Sequence, residues 1–357
     1  DEASGRIMAD NFGMLLRFHS MKKLEHRLNR LNEQLGHLCD EQGVSYGLRL
    51  FFGVYLVTDK EMPVSAMMER ANLALKKTLQ LPQHLKKIGV YDEKEHQKLE
   101  REKHLEMRME QALKNGEFVP YLQPKYELTH ETIAGAEALV RWVSPEEGMI
   151  FPGEFIPLFE KNGFIVELDL YMFEQVCKMI ESWHKNGYRI IPVSVNMSRG
   201  HFLVPNFFDR YKEILERYDV PKGSIEIELT ESLFLNEIST MTDLVNKIHE
   251  VGLRCSIDDF GSGYSSLNML KDIKVDALKL DRVFFVKTEE DKRGKDIINS
   301  ILHLAQNLHL KTISEGVEIR SQVEYLKEMD CDYIQGYVFA KPMPVKDFVK
   351  IAFAKSV

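Results

Sequence analysis

The stretch 253–281, LRCSIDDFGSGYSSLNMLKDIKVDALKLD, holds two short apolar strand-like runs, 253–258 and 277–280, with a glycine-rich turn after the first. Both runs end in charge: Asp258 and Asp259 close the first, and Lys279 with Asp281 closes the second. Strands that follow one another through a longer crossover are the signature of a parallel sheet.

The same pattern extends in both directions. Strand-like runs fall at 118–126, 133–142, 190–197, 225–230, 312–315 and 333–339, and helical periodicity marks 168–185, 206–218, 238–251, 295–308 and 321–329. Eight strands with intervening helices over residues 116–357 is the arithmetic of an α/β TIM-like (β/α)8 barrel. Pattern alone leaves a doubly wound open sheet as the alternative.

Polar residues close these runs: Glu137, Asn196, Glu228 with Glu231, Asp258 with Asp259, Lys279 with Asp281, Glu315 with Glu318, and Gln335. In a parallel barrel the carboxyl ends of the strands share one face, so these side chains would converge. Any one acid taken alone is better explained as a helix cap or a loop contact. As a set they repel strongly at close range, and stay ionised together only if cations neutralise them. Oxygen donors without His or Cys suit Mg²⁺ or Mn²⁺ rather than Zn²⁺. Adjacent Asp258 and Asp259 can face two ions, and paired ions are the usual apparatus of phosphodiester hydrolysis. Lys279 and Asp281 share a strand face, so the lysine is an ion-pair partner, an orienter of water, or both. The turn 258–266 reads either as a plain strand-to-helix connection or as a mobile loop coupling the ions to a partner subunit.

Upstream, 6–17 and 46–57 are strand-like, 21–38 and 64–79 are helical, and 88–91 is a last short strand, together a small α/β unit. The charge-dense stretch 93–115 reads as a solvated connector helix with sparse apolar contacts at Leu99, Met107 and Leu113. This divides the chain at 1–93, 94–115 and 116–357. A net charge of −8 argues against a grip on duplex nucleic acid. The four cysteines, widely spaced, fit reduced thiols of a cytoplasmic protein. No run approaches the roughly 18–20 apolar residues of a membrane span, so no membrane contact is expected here. The opening DEASGRIMADNF reads as the middle of a domain, so an anchor further upstream stays open.

The order YLQP (121–124), EALVRW (137–142), FIPLFEKNG (155–163), SVNMS (194–198), ELTES (228–232), DDFGSGYSSL (258–267), LKLD (278–281), EGVE (315–318) and QGYVFAKPMP (335–344) resembles the EAL-domain family of c-di-GMP phosphodiesterases. The resemblance implies a barrel whose first strand is antiparallel and which opens c-di-GMP to linear pGpG with two metal ions. It implies that Glu137, Asn196, Glu228 and Asp258 bind one ion, and Asp259 and Glu315 the other. Lys279 would serve the nucleophilic water with Asp281 in support, and Glu318 joins this catalytic group. Gln123, Arg141 and Gln335 would contact substrate, and Glu231 would hold the loop after Asp259. Relatives commonly dimerise, so a homodimer with 260–266 near the contact is expected. Phe159 and Lys274 depart from the family pattern without touching a ligand position. The alternative within the family is a catalytically silent c-di-GMP receptor, which needs only the base and phosphate contacts.

RIMADNFGMLL (6–16), ANLALKKT (71–78) and IGVYD (88–92) resemble the back half of a GGDEF domain. Met8-Ala9-Asp10-Asn11-Phe12 stands where that family has Gly-Gly-Asp-Glu-Phe, so the resemblance implies a degenerate, regulatory module and not a cyclase.

Overall fold

The computed structural model describes residues 2–41, 48–80, 87–234, 238–261, 267–285 and 292–354. The chain forms two compact units, Asp1–Lys103 and His104–Val357.

In the first unit β1 (Ala3–Met8) and β2 (Asn11–Leu15) make an antiparallel hairpin, with Ala9 at φ 52° in its turn. After α1 (Met21–Glu41) come β3 (Phe52–Val54), α2 (Val64–Gln80) and β4 (Ile88–Val90). β3 and β4 pair in parallel, as a strand–helix–strand crossover permits. Leu24, Leu28, Phe52 and Ile88 form the small core. The expected strand 46–57 is strand only at its centre, and residues 42–47 lie outside those described.

Helix α3 (Glu93–Lys114) spans the division between the units. Within the second unit its Leu105 and Ala112 are buried in the core, with Met109 and Leu113 packed against it. Those four positions share one helical face. Met107, expected as a contact, lies two residues round the helix and is 86% exposed.

The second unit continues with β5 (Phe118–Glu127), β6 (Thr132–Ser144), β7 (Gly148–Ile150), α4 (Pro152–Asn162), α5 (Ile165–Lys185), β8 (Val193–Asn196) and α6 (Phe208–Leu215). Next come β9 (Ile225–Thr230), α7 (Glu231–Phe234), α8 (Ile238–Glu250), β10 (Arg254–Phe260), α9 (Leu267–Asp272) and β11 (Ala277–Leu280). The unit ends with α10 (Lys292–Asn307), β12 (Lys311–Glu315), α11 (Arg320–Glu328), β13 (Tyr333–Gln335), β14 (Met343–Pro344) and α12 (Val345–Ala352).

Strands β6, β8, β9, β10, β11, β12 and β13 pair in parallel in that order. β5 pairs antiparallel with both β6 and β13 and so closes an eight-stranded barrel. Closure excludes the doubly wound open sheet. The short 128–131 turn between β5 and β6 accounts for the reversed first strand, because parallel neighbours need a long crossover. The C-terminal ends of the seven parallel strands therefore form one mouth, while β5 runs away from it.

Phe118, Trp142, Phe155 and Phe159 are buried together, with the Phe155 and Phe159 rings 5.4 Å apart. Phe159, the departure noted in the sequence, thus fills an aromatic cluster under the first strands. All four cysteines are buried and unbridged. Among the described residues no helix is long and apolar enough to cross a membrane.

Replacing Leu105 by Ala is expected to cost about 2–5 kcal/mol through the cavity it leaves. Met107→Ala should stay within roughly 0.5 kcal/mol, as exposed substitutions do. Urea unfolding of the two variants checks the assigned helix face.

Candidate active site

Lys279 stands at the centre of the mouth. On β11 the side chains alternate, and Lys279 points into the barrel, completely buried. Its Nζ lies 2.6 Å from Glu228 Oε2, 2.6 Å from Glu315 Oε1, 3.0 Å from Asp258 Oδ1 and 3.6 Å from Glu137 Oε2. Four strands, β6, β9, β10 and β12, thus each deliver a carboxylate to one ammonium.

Glu137 is held from both sides: Asn196 Nδ2 donates to its Oε1 at 2.9 Å, and Gln335 Nε2 donates to its Oε2. The same Gln335 amide donates to Gln123 Oε1 at 3.2 Å, and Gln123 faces Glu137 directly across the β5–β6 pair. Gln123, Glu137, Asn196 and Gln335 therefore form one connected polar arc.

Asp258 and Asp259 are adjacent on β10, where regular pleating would send them to opposite faces. The register of β10 against β11 shifts between Ile257 and Phe260, and Asp259 adopts φ 55°. This bulge lets both acids reach the mouth, at the cost of a backbone conformation that non-glycine residues seldom hold. Oxygens of Asp258, Asp259 and Glu315 lie within 4.8 Å of one another.

The charge state follows from this crowding. Burial, reinforced by Glu228, raises the Glu137 carboxyl above its ordinary range. Burial also lifts Glu315 to about 8, with Lys279 opposing and Asp258 and Glu137 reinforcing. Asp259 rises to about 6 through burial and the neighbouring Asp258 and Asp281. Glu228 goes the other way: burial pushes it up, but Lys125 and Lys279 outweigh that and hold it at about 2. Burial would also strip the proton from Lys279, yet Glu137, Glu228, Glu315 and Asp258 together hold its pKa well above normal.

The protein's own cations therefore do not neutralise the cluster. Glu315 Oε1 is within ion-pair distance of Lys279 but off the hydrogen-bond direction, and it and Gln335 Oε1 are buried without a hydrogen-bond donor. A set of oxygen donors with raised carboxyl pKa values and buried free lone pairs fits a hard divalent cation.

The remaining expected residues lie around this cluster. Glu231 Oε2 accepts from Gly261 N at 2.8 Å, at the start of the turn after Asp259. Asp281 accepts from Val283 N at 2.6 Å and touches Asp259; among the described residues it makes no ion pair with Lys279. Lying beyond the strand end, Asp281 caps the following turn, while Lys279 points inward. Arg141 is half-buried, with Nη1 donating to Val140 O and its guanidinium over the Tyr121 ring. The Glu318 side chain is exposed, and no described contact joins it to the cluster. Residues 262–266 lie outside those described.

Two residues were missed. Lys125 Nζ donates to Glu228 Oε1 at 2.9 Å and to Glu226 Oε1 at 3.2 Å, both inside the barrel. Strand alternation could have found them, since Lys125 shares a face with Gln123, and Glu226 with Glu228.

Residues 106–342 match the sequence profile described as the EAL domain. The chain belongs to the EAL-domain family. Over 241 residues it is 35% identical to "Cyclic di-GMP phosphodiesterase NbdA" of Pseudomonas aeruginosa, covering 68% of this chain and 31% of that one. It is 34% identical over 247 residues to "Probable cyclic di-GMP phosphodiesterase PdeG" of Escherichia coli, covering 69% and 49%. Among solved structures, "PaMucR Phosphodiesterase, c-di-GMP complex" superposes with a TM-score of 0.65 at 33% identity, covering 69% of this chain and 99% of that one. The matched region is under half the length of these two curated relatives.

Gly261 of this EAL domain has φ 94°, and a Cβ there would lie 2.0 Å from Cζ of the Phe284 ring. Gly261→Ala is expected to destabilise the barrel by more than about 1 kcal/mol, since both backbone and ring must shift. Thermal unfolding reads this, and an unchanged Tm would show that Phe284 moves aside freely.

Proposed function

We propose that the barrel is a phosphodiesterase that hydrolyses c-di-GMP to linear pGpG, using two divalent ions, Mg²⁺ or Mn²⁺. The observation that carries this reading is the convergence of Glu137, Glu228, Asp258, Asp259 and Glu315 on one mouth around a buried Lys279. Relatives of the same family described as c-di-GMP phosphodiesterases, and one solved with c-di-GMP, supply the substrate class.

In this reading Glu137, Asn196, Glu228 and Asp258 hold one ion, and Asp259 with Glu315 the other. Bound there, such ions would lower the pKa of water and stabilise charge on the leaving oxygen. Lys279, held by its four carboxylates and keeping its proton while no ion is bound, supplies a positive charge that orients the attacking water. Gln335 Oε1, buried and unpaired, is free to accept from a guanine N–H. Arg141 lies on the same strand face as Glu137, nearer the mouth, where a phosphate would meet it. Gln123 keeps the Gln335 amide oriented, Glu231 anchors the turn after Asp259, and Asp281 and Glu318 shape the rim.

A homodimer with 260–266 near its contact would tie the Asp258–Asp259 bulge to subunit association. The first unit would regulate and not synthesise, because Met8 and Ala9 carry side chains where phosphates would need glycine, and Asn11 lacks the second acid's charge.

Turnover of c-di-GMP is expected with Mg²⁺ or Mn²⁺ and not without metal. Ca²⁺ should inhibit, since its longer and looser coordination misplaces the reacting groups. Glu137→Ala should lower kcat by roughly a hundredfold or more while the barrel stays folded, exceeding the loss of an outer partner. Tight c-di-GMP binding with no pGpG under any metal would identify a receptor instead. Incubation with GTP and Mg²⁺ should give no c-di-GMP.

A further inference from the structure

We infer that Lys125 is a positioning residue for Glu228; the kinetic part of this inference rests on the phosphodiesterase reading, and the metal-binding part does not. Glu228 is buried, and its two oxygens are held by two different lysines. Lys279 donates to Oε2 at 2.6 Å and Lys125 to Oε1 at 2.9 Å. Ser194 also bonds Glu228, but Lys125 is the lysine that holds Oε1, so removing it frees that oxygen to turn about the terminal bond. Glu228 faces Asn196 across the β8–β9 pair, so its plane decides where its free lone pairs point relative to the Asn196 amide.

Lys125 reaches this position because β5 is antiparallel. Its downstream end lies toward the mouth opposite the carboxylate cluster, and Lys125 meets Glu228 from that side. There it borders a cavity of about 420 Å³, lined also by Gly135, Ser194, Glu226, Ala277 and Tyr333. With open space on that side, the ammonium is held by its two carboxylates more than by packing. Glu226 is the second of these, and it also accepts from Ser256 Oγ at 3.1 Å. Lys125 thus has a structural partner, Glu226, and a partner in the site, Glu228, and the two roles can be separated.

The sign of the metal response separates position from charge. Removing a nearby cation, with nothing else changed, makes the cluster more negative and tightens binding of a divalent ion. Releasing a ligand from its orienting partner weakens binding, typically by about ten- to a hundredfold. A positioning role therefore predicts weaker binding against the electrostatic trend.

The test uses the full chain with Lys125→Met, Glu226→Gln and the double variant, reading Mn²⁺ affinity by electron paramagnetic resonance, Tm by thermal unfolding, and kcat and KM with c-di-GMP. Lys125→Met should weaken Mn²⁺ binding about tenfold or more and lower kcat with KM nearly unchanged. Glu226→Gln should leave both within about twofold. The double variant leaves no carboxylate that depended on Lys125 alone for its charge, so it should regain Tm yet recover neither Mn²⁺ affinity nor kcat; it carries the test if Lys125→Met does not fold. Equal or tighter Mn²⁺ binding, or recovery of affinity together with Tm in the double variant, would overturn the inference. A wild-type chain that binds Mn²⁺ but leaves c-di-GMP intact would sink the phosphodiesterase reading alone, and one that binds no Mn²⁺ would sink both.

Discussion

One buried ammonium organises the mouth of this barrel. Lys279 is surrounded by Glu137, Glu228, Asp258 and Glu315, and each is reached from a different strand. Desolvating so many charges is unfavourable, and a buried ion pair rarely repays that cost in stability. The cluster survives because the rest of the barrel is strongly apolar, with the Phe118, Trp142, Phe155 and Phe159 rings packed beneath the first strands. The site is an electrostatic burden carried by the core, which is the arrangement expected of residues kept for chemistry.

Topology then decides which further side chains join that cluster. Had β5 run parallel to its neighbours, Gln123 would still face the barrel interior, but Lys125 would lie nearer the carboxylate mouth. As built, β5 brings Gln123 opposite Glu137 and sets Lys125 two residues deeper, beneath the cluster. Glu228 is consequently gripped from two directions, and unlike Glu137 and Glu315 it is held well below the ordinary carboxyl range. The reversed strand is thus part of the electrostatics of the site as well as of its architecture.

Much of this was legible in the sequence. Apolar runs ending in acid or amide located the eight barrel strands and most of the cluster, because alternation and the shared mouth of a parallel barrel leave few other placements. Closure was not legible from periodicity, which describes one strand at a time and says nothing of the β5–β13 pairing. Nor was the face of α3: the helix is so polar that Leu105 and Ala112 are outnumbered by exposed charge, and Met107 looked as apolar as either. Lys125 and Glu226 escaped for a related reason. Lysine and glutamate normally mark exposed positions, so an interior pair is visible only once strand direction is known.

The bulge at Asp259 ties the cluster to the backbone that follows β10. A regular β10 would bring only one of its two aspartates to the mouth; the shifted register brings both, and leaves Asp259 in a left-handed conformation. Such strain persists only where neighbours over-determine it. Here the restraints are the Glu231 bond to Gly261 N and the Phe284 ring packed where a Gly261 side chain would lie. Both restraints act on the turn, not on the acids themselves. Any shift of Gly261 therefore acts within two residues of the φ that sets the second aspartate's direction. The geometry of the carboxylate cluster is in this way tied to the irregular backbone of β10 at Asp259, where a small shift in φ redirects one of its acids.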